Sequence, residues 1–599
     1  MKVVFLPSGA EMIAEPGMTI MQALHQAGLN IDAPCGGNGT CKKCKVKVND
    51  SQGERTVLAC QTVITEDMTV DISREDEGHR ILMGGITREV ASVPSVSVYT
   101  LQIPRPSTED LRSCWLRLCT AAEEAAGLPS GSIRPNLTVI ADLYQTLEEN
   151  DYRVDAVVCD GALLAVRPVG SPVLGLAYDI GTTTIACYLL DLRSGRQLSQ
   201  SSMLNPQTTF GGDVIMRMKY SVENGLDELT QCVRKALNTL AAKSAASAKQ
   251  KLKDVYLVTV VGNTCMHHLF MGISPASLAY APYTAAVTEA IQADAVDFGF
   301  SVYSGAKLFM LPNIAGFVGA DTVGAALAAS MDEKDELTLL IDIGTNGEMV
   351  LGTRKHLVAC STAAGPAFEG ALISCGMRGA EGAIDHVKLL DGQLQFTVIG
   401  GGKPIGICGS GLIDLLSELV RVGLVESGGR MLDDDEIEAD PTCRPYAGYM
   451  ETSGGLRAFR LASTEESGSG EALYFTQKDV REVQLAKGAM AAGIQMMCRH
   501  LGVTVDEISS VMIAGAFGSY MSPASACGIG LIPPQLGERV MAIGNAAGEG
   551  SKLCALSIEE YRRAARLARS MDYLELAADP AFQDVFVDQL EFPSEDEEE

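Results

Sequence analysis

Residues 175–191 read GLAYDIGTTTIACYLLD, and residues 338–352 read TLLIDIGTNGEMVLG. Each is an apolar run ending in Asp-Ile-Gly-Thr, then a tight turn, then a second apolar run. That pattern predicts two β-hairpins. Asp179 and Asp342 lie 163 positions apart (342 − 179), a domain-sized interval, so the pair reads as an internal duplication. The chemistry suits a nucleotide. Backbone N–H groups and hydroxyls of Gly181, Thr182, Thr183 and Thr184 in one turn, and of Gly344, Thr345 and Asn346 in the other, are donors for the phosphate oxygens of ATP. Asp179 and Asp342, at their strand ends, suit the hydration shell of Mg²⁺. A pair of ordinary hairpins is the plain alternative.

Three later segments extend the pattern. In SSVMIAGAFGSYM (509–521), Val511–Ala514 is a strand run, and Gly515, Ala516, Phe517 and Gly518 form a glycine turn. In ICGSGLIDLLSELV (407–420), Gly409, Ser410 and Gly411 open a helix, either as an anion or nucleotide contact or as a plain connection. LPNIAGFVGADTVGAALAAS (311–330) reads as a turn and a helix with small residues on its packing face. Together these resemble the actin, sugar-kinase, Hsp70 and acetate-kinase (ASKHA, ribonuclease H-like) superfamily. The resemblance implies that the 511–518 turn holds the adenosine. It also implies that Asp321 orients the attacking water; an N-cap aspartate is the other reading. In NPQTTFGGDVIMRM (205–218), Gln207 and Asp213 reach the γ-phosphate or a metal, or Asp213 caps the following helix. His267 and His268 have no further ligand motif nearby and read as packing.

Cys35, Cys41, Cys44 and Cys60 are spaced C-x5-C-x2-C-x15-C, and the other 13 of 17 cysteines stand singly. Four thiolates suit an iron–sulfur cluster or structural zinc. Gly36, Gly37 and Gly39 permit the backbone to wrap closely around sulfur. With flanking KVVFLP and KVKV strands and the helix TIMQALHQAGL, the segment resembles a β-grasp [2Fe–2S] ferredoxin.

The chain has 599 residues, a formal net charge of −28, 47% hydrophobic and 20% charged residues. At roughly 100–200 residues per domain it holds about three to five domains. Such acidity argues against nucleic acid and an anionic membrane as partners. No secretory signal and no apolar run of about 18 residues is visible, so a cytoplasmic protein with reduced thiols is expected.

A [2Fe–2S] ferredoxin joined to an actin-like ATPase is similar to the ATP-dependent reductive activators of corrinoid proteins. DIGTTT, DIGTNGE, NIAGFVGADT, AAGPAFEGALISCGMRGAEGAI and IAGAFG carry the likeness, with the four cysteines. The resemblance implies one-electron reduction of inactive Co(II) to Co(I) in a corrinoid protein of a methyltransferase system, coupled to ATP hydrolysis. A low-potential electron donor and a homodimer are implied with it. In Gly365 to Gly382, read as a surface loop near the interlobe cleft, Ser374 is the implied oxygen contact to cobalt. Cys375 and Met377 read as packing. The rival readings are a small-molecule kinase, an activator of another low-potential metalloenzyme, and a filament or scaffold. The expected organisation is an α/β multidomain chain: ferredoxin 1–76, linker 77–98, small α/β middle domain 99–172, two-lobed ATPase 173–590 and a solvated acidic tail 591–599.

Overall fold

The computed structural model describes the chain except residues 7, 8, 28, 30, 32–38, 40–43, 52, 73–92, 519 and 594–599, and except the side chains of 25, 516 and 517. Cys35, Cys41, Gly36, Gly37, most of the expected linker and most of the acidic tail therefore lie outside the described residues.

The N-terminal unit is a five-stranded mixed sheet in the order Ala10–Ile13, Lys2–Leu6, Met68–Asp71, Lys45–Asp50, Gly53–Leu58. The KVKV run follows strand periodicity: Val46 and Val48 point inward while Lys45 and Lys47 face out. The helix Ile20–Gln26 buries Ile20 and Leu24 on that face, with Val3, Phe5 and Val70.

A three-stranded antiparallel sheet (Val96–Gln102, Arg153–Cys159, Ala162–Pro168) with helices Cys114–Ala126 and Leu137–Glu149 makes the middle unit. It shares a core with the larger part of the chain beyond residue 173. Val96, Val157 and Leu164 pack in one cluster with Tyr256, Leu553 and Tyr561. Ser95 Oγ donates to the Cys554 carbonyl at 2.8 Å, and Arg167 pairs with Asp254 at 2.7 Å.

The two hairpins open two six-stranded sheets that share a five-strand topology. In the first, strands come in the order Gln197–Leu204, Thr184–Asp191, Leu174–Ile180, Val255–Gly262, Lys307–Met310, Ile291–Asp294. In the second, His356–Thr362, Gly347–Thr353, Thr338–Ile343, Ser510–Ala514 and Val540–Gly544 fill the same first five places, but the sixth strand differs: Ile291–Asp294 extends the first sheet beyond its fifth place, and Met571–Tyr573 lies on the opposite edge of the second. In both, the strands in the first three places alternate in direction, and those in the fourth and fifth places run parallel to the one in the third. Val255–Gly262 is buried along its whole length, as an unbroken apolar run between two covered faces requires. The topology thus repeats the duplication read from the two DIGT segments.

After each fifth strand comes a helix, Ala320–Ala328 in the first lobe and Ala546–Leu556 in the second. They cross where glycine meets glycine: a Cβ on Gly550 would lie 2.2 Å from the Gly324 carbonyl oxygen. This is the purpose of the small residues in GADTVGAALA. At the C-terminus the structure departs from the expected free tail. Phe592 is 2% exposed, its ring lies 5.1 Å from Lys487 Nζ, and Lys487 donates to the Glu591 carbonyl. One aromatic side chain is enough to seat the start of an otherwise acidic segment.

Candidate nucleotide cleft and cluster site

The lobes enclose a cavity of about 320 Å³ lined by both DIGT turns. The hairpins close as their sequences suggest: Gly181 N–H donates to the Thr184 carbonyl at 3.0 Å, and Gly344 N–H to the Asn346 carbonyl at 2.9 Å. Gly181, Thr182, Thr183 and Thr184 face the cavity from one lobe, and Gly344, Thr345 and Asn346 from the other. Asp179, Asp342 and Asp321 line it as well, so all three carboxylates singled out in the sequence converge.

Asp321 stands in the first turn of helix Ala320–Ala328, whose N-cap is Gly319, so it does not cap that helix. Its Oδ1 accepts from the Thr322 N–H at 2.8 Å. Burial pushes Asp321 up to about 6, against that hydrogen bond. Burial, and then the charge of Asp321, push Asp179 and Asp342 each up to about 7. Asn545 Nδ2 opposes this at Asp179, donating to its Oδ2 at 3.0 Å while also meeting Tyr188 Oη at 3.1 Å.

Several lining residues escaped the sequence reading. Glu348 lies directly opposite Asp342 across the second hairpin, and burial plus the charges of Asp321 and Asp342 raise its pKa. Closing the hairpin around Gly344, Thr345 and Asn346 would have found it, because that register sets Glu348 across from Asp342. Glu369, Asp385, Arg378, Asn263 and Asn545 also line the cavity. Among the described residues, no three carboxylates or other ligand groups form a ready-made metal cage. The donor set fits Mg²⁺, which keeps most of its waters and takes one or two carboxylates beside a phosphate.

The remaining candidates divide. Gly409, Ser410 and Gly515 line the cleft. Gly515 has φ +87, and a Cβ there would sit 3.0 Å from Asp342 Oδ1. Gly411 and Gly518 are packing glycines, where a Cβ would meet the Ile384 carbonyl at 2.5 Å and Ile513 Cγ2 at 2.3 Å. Gly515–Gly518 is a single helical turn; the side chains of Ala516 and Phe517 lie outside the described residues. Asp213 caps helix Val214–Asn224, accepting from Met216 N–H at 2.7 Å, and Gln207 is buried and donates to the Leu229 carbonyl. Neither lines the cleft. His268 lies between the Thr264 carbonyl and the Ala286 N–H, and His267 is buried.

The 365–382 segment is not wholly a surface loop. Phe368 and Ile373 are buried, and Met377 lines the cleft beside Arg378. Ser374 does not line it. Its Oγ donates to Asp479 Oδ1 at 3.1 Å, and its N–H donates to the same oxygen at 2.8 Å. Asp479 is itself held in a capping box with Thr476 at the start of helix Gln477–Leu501.

In the N-terminal unit, Cys44 and Cys60 are buried with their sulfurs 3.2 Å apart. Neither is in a disulfide. Two thiolates so placed suit one iron of a [2Fe–2S] centre. Beside them Gly39 has φ +76, and a Cβ there would reach 2.9 Å from Gln61 Cγ, so a side chain would strain the backbone and displace Gln61.

A β-grasp ferredoxin, a middle unit and a duplicated ASKHA fold in one chain define the class of protein. Comparison with known proteins narrows it. Residues 4–65 match the 2Fe-2S iron-sulfur cluster binding domain, 85–170 the RACo linker region, 174–334 the RACo middle region and 336–599 the C-terminal domain of RACo, the ASKHA domain. The corrinoid activation enzyme RamQ of Eubacterium limosum is 33% identical over 595 residues, covering 98% of each chain. A [Co(II) methylated amine-specific corrinoid protein] reductase of Methanosarcina barkeri is 23% identical over 451 residues, covering 70% of this chain and 77% of its own. A solved reductive activator for corrinoid, iron-sulfur protein superposes with a TM-score of 0.76 at 32% identity, covering 99% of this chain and 98% of its own. The chain belongs to the family of reductive activators of corrinoid proteins.

Proposed function

We propose that this protein returns the inactive Co(II) state of a corrinoid protein to Co(I), coupling one-electron transfer to hydrolysis of ATP. The observation that carries the reading is the meeting of both DIGT hairpins and Asp321 in one cleft, in a chain that also holds a ferredoxin unit. Each 59 mV of uphill one-electron transfer costs about tenfold in equilibrium, so an energy source is needed. Nucleotide can supply it only by binding one conformation better than another.

Thr182, Thr183, Thr345 and Asn346, with the turn N–H groups, hold the phosphates. Asp179 and Asp342 take the waters of Mg²⁺, which screens phosphate charge. Asp321 orients the attacking water and accepts its proton. Cys44 and Cys60, with Cys35 and Cys41, hold the [2Fe–2S] cluster, which stores one electron at a time. A low-potential donor supplies that electron, and a methyltransferase system supplies the corrinoid protein. Ser374 meets the corrinoid, and the working unit is a homodimer. We divide the chain as 1–76, 77–98, 99–172 and 173–590, with the middle unit setting the ferredoxin against the ATPase.

The test is ATP hydrolysis and cobalt absorbance measured together. A Co(II) corrinoid protein should stimulate hydrolysis, and Co(I) should form only when ATP and a reductant are both present. Stimulation by a small metabolite hydroxyl, with phosphorylated product, would instead establish a kinase. Cys60→Ser should remove the [2Fe–2S] visible bands and the cobalt reduction while leaving nucleotide binding intact. Ser374→Ala should change the cobalt spectrum of the complex; an unchanged spectrum and rate would remove Ser374 from the contact.

A further inference from the structure

One carboxylate joins the two hairpins. Glu369 ends the helical turn Pro366–Glu369, which follows the third strand of the second lobe. Its Oε1 and Oε2 accept from Thr183 Oγ1 at 3.1 and 3.0 Å, and Oε2 also accepts from Thr345 Oγ1 at 3.2 Å. Thr183 and Thr345 sit in the turns of different lobes, 162 residues apart (345 − 183). They are the hydroxyls that the nucleotide reading assigns to phosphate. An anion with two oxygens, bridging donors from both hairpins, does chemically what a terminal phosphate would do there.

A phosphate and this carboxylate cannot both take the two hydroxyl protons, and as like charges they repel at close range. From this we propose that Glu369 occupies the seat of the terminal phosphate in the nucleotide-free protein, and that ATP expels it whereas ADP leaves it in place. Glu369 is then the residue by which the cleft tells the triphosphate from the diphosphate. The inference rests on the nucleotide-cleft reading above and adds a competitor to it.

The turn that carries Glu369 is tightly bent. Glu369 is flanked by Gly365 at φ +73 and Gly370 at φ +75, and a Cβ on Gly370 would lie 2.5 Å from the Met377 carbonyl. Between them and Ser374, the exposed Leu372 is held at φ +66, a conformation that strains a bulky side chain. Letting go of both threonines removes the tie to the hairpin turns from the segment that carries Leu372, Ser374 and Arg378, which is then held only by the second lobe, through Ser374 to Asp479 and Met377 N–H to the Ile407 carbonyl. One carboxylate therefore couples the nucleotide's third phosphate to the outer face of the 365–382 segment.

The experiment is calorimetric titration of the full-length, cluster-loaded protein with Mg²⁺ and either ADP or the β,γ-imido analogue of ATP, comparing wild type with Glu369→Gln and Glu369→Ala. Removing the charge should tighten the analogue by about tenfold or more, the scale of one charge-assisted hydrogen bond, while ADP stays within about twofold. An analogue that binds both variants equally or more weakly than wild type overturns the proposal and makes Glu369 a supporter of the phosphate or its metal. Wild type that binds neither nucleotide overturns the cleft reading itself, and this inference with it. Amide hydrogen exchange over 365–382 checks this coupling. Exchange should quicken in wild type on adding the analogue but not ADP, and should already be quick in nucleotide-free Glu369→Ala. Unchanged exchange in both overturns the release of the segment.

Discussion

The helix after the fifth strand occurs once in each lobe, and the two copies differ where it matters. In the first lobe its opening turn carries Asp321; in the second it is capped by Asn545. The carboxylate raises the pKa of its neighbours, and the carboxamide holds Asp179 of the opposite lobe by a neutral hydrogen bond. The duplication has kept five strand places and the crossing glycines, while the residues that line the cleft from the two helix starts have become a charge and an orienting group. Symmetry built the cleft, and its breaking made the cleft directional.

The largest effect should come from the charged copy. Asp321→Asn is expected to lower the ATP turnover number by about a thousandfold, the range of a lost general base, with KM nearly unchanged. A turnover kept within about tenfold would make the two helix starts equivalent after all. Next is the crossing that both copies share. Gly550→Val forces a branched side chain into the Gly324 backbone and should cost about 3 kcal/mol in denaturant unfolding, with Gly550→Ala costing less. Smaller again is Asn545→Ala, which leaves Asp179 and Tyr188 short of a partner. It should lower turnover by about tenfold and move the Asp179 step of the pH–rate profile upward. Asn545→Asp, which copies the first lobe's carboxylate, should do worse by adding a charge beside Asp179.

The mildest test is pH. Carboxylates whose folded pKa is raised keep more protons in the native state than in the unfolded one. Their stabilising contribution is full below the ordinary carboxylate pKa and is lost as pH rises through about 6 for Asp321 and about 7 for Asp179 and Asp342. The melting temperature of nucleotide-free protein should therefore fall over this window relative to Asp321→Asn. Mg²⁺-nucleotide should bind more tightly across the same rise, with release of protons.

The hairpins were legible because everything that makes them lies within fifteen or so residues: apolar runs, an Asp, and a Gly-Thr turn. Asp321 was legible only through likeness to kinases, since it reaches the cleft through long-range packing: Gly319, just before its helix, sits against Asn263 at the end of the strand that neighbours Asp179's. Glu369 was illegible for a plain reason: its partner Thr183 is 186 residues away, and no local period records such a distance. Asn545 had a readable role as a cap before AAGEG, but its second hydrogen bond, to a residue 366 positions back, exists only in the closed fold. Phe592 misled in the other direction, because an acidic run hid one anchoring ring.

The contact of Gly324 with Gly550 also sets a mechanical scale. Main chain touching main chain has no rotamer to change, and Thr259 Oγ1 donates to the Ser551 carbonyl at 2.9 Å beside it, so any turn of one helix on the other is centred on this point. Asn545 stands five residues from that pivot, about 7.5 Å along the helix at 1.5 Å per residue. A swing of about 10° carries it about 1.3 Å, and its 3.0 Å bond to Asp179 is then broken. A lobe rotation too small to notice in the outline of the molecule is thus large enough to reset the aspartate at its centre.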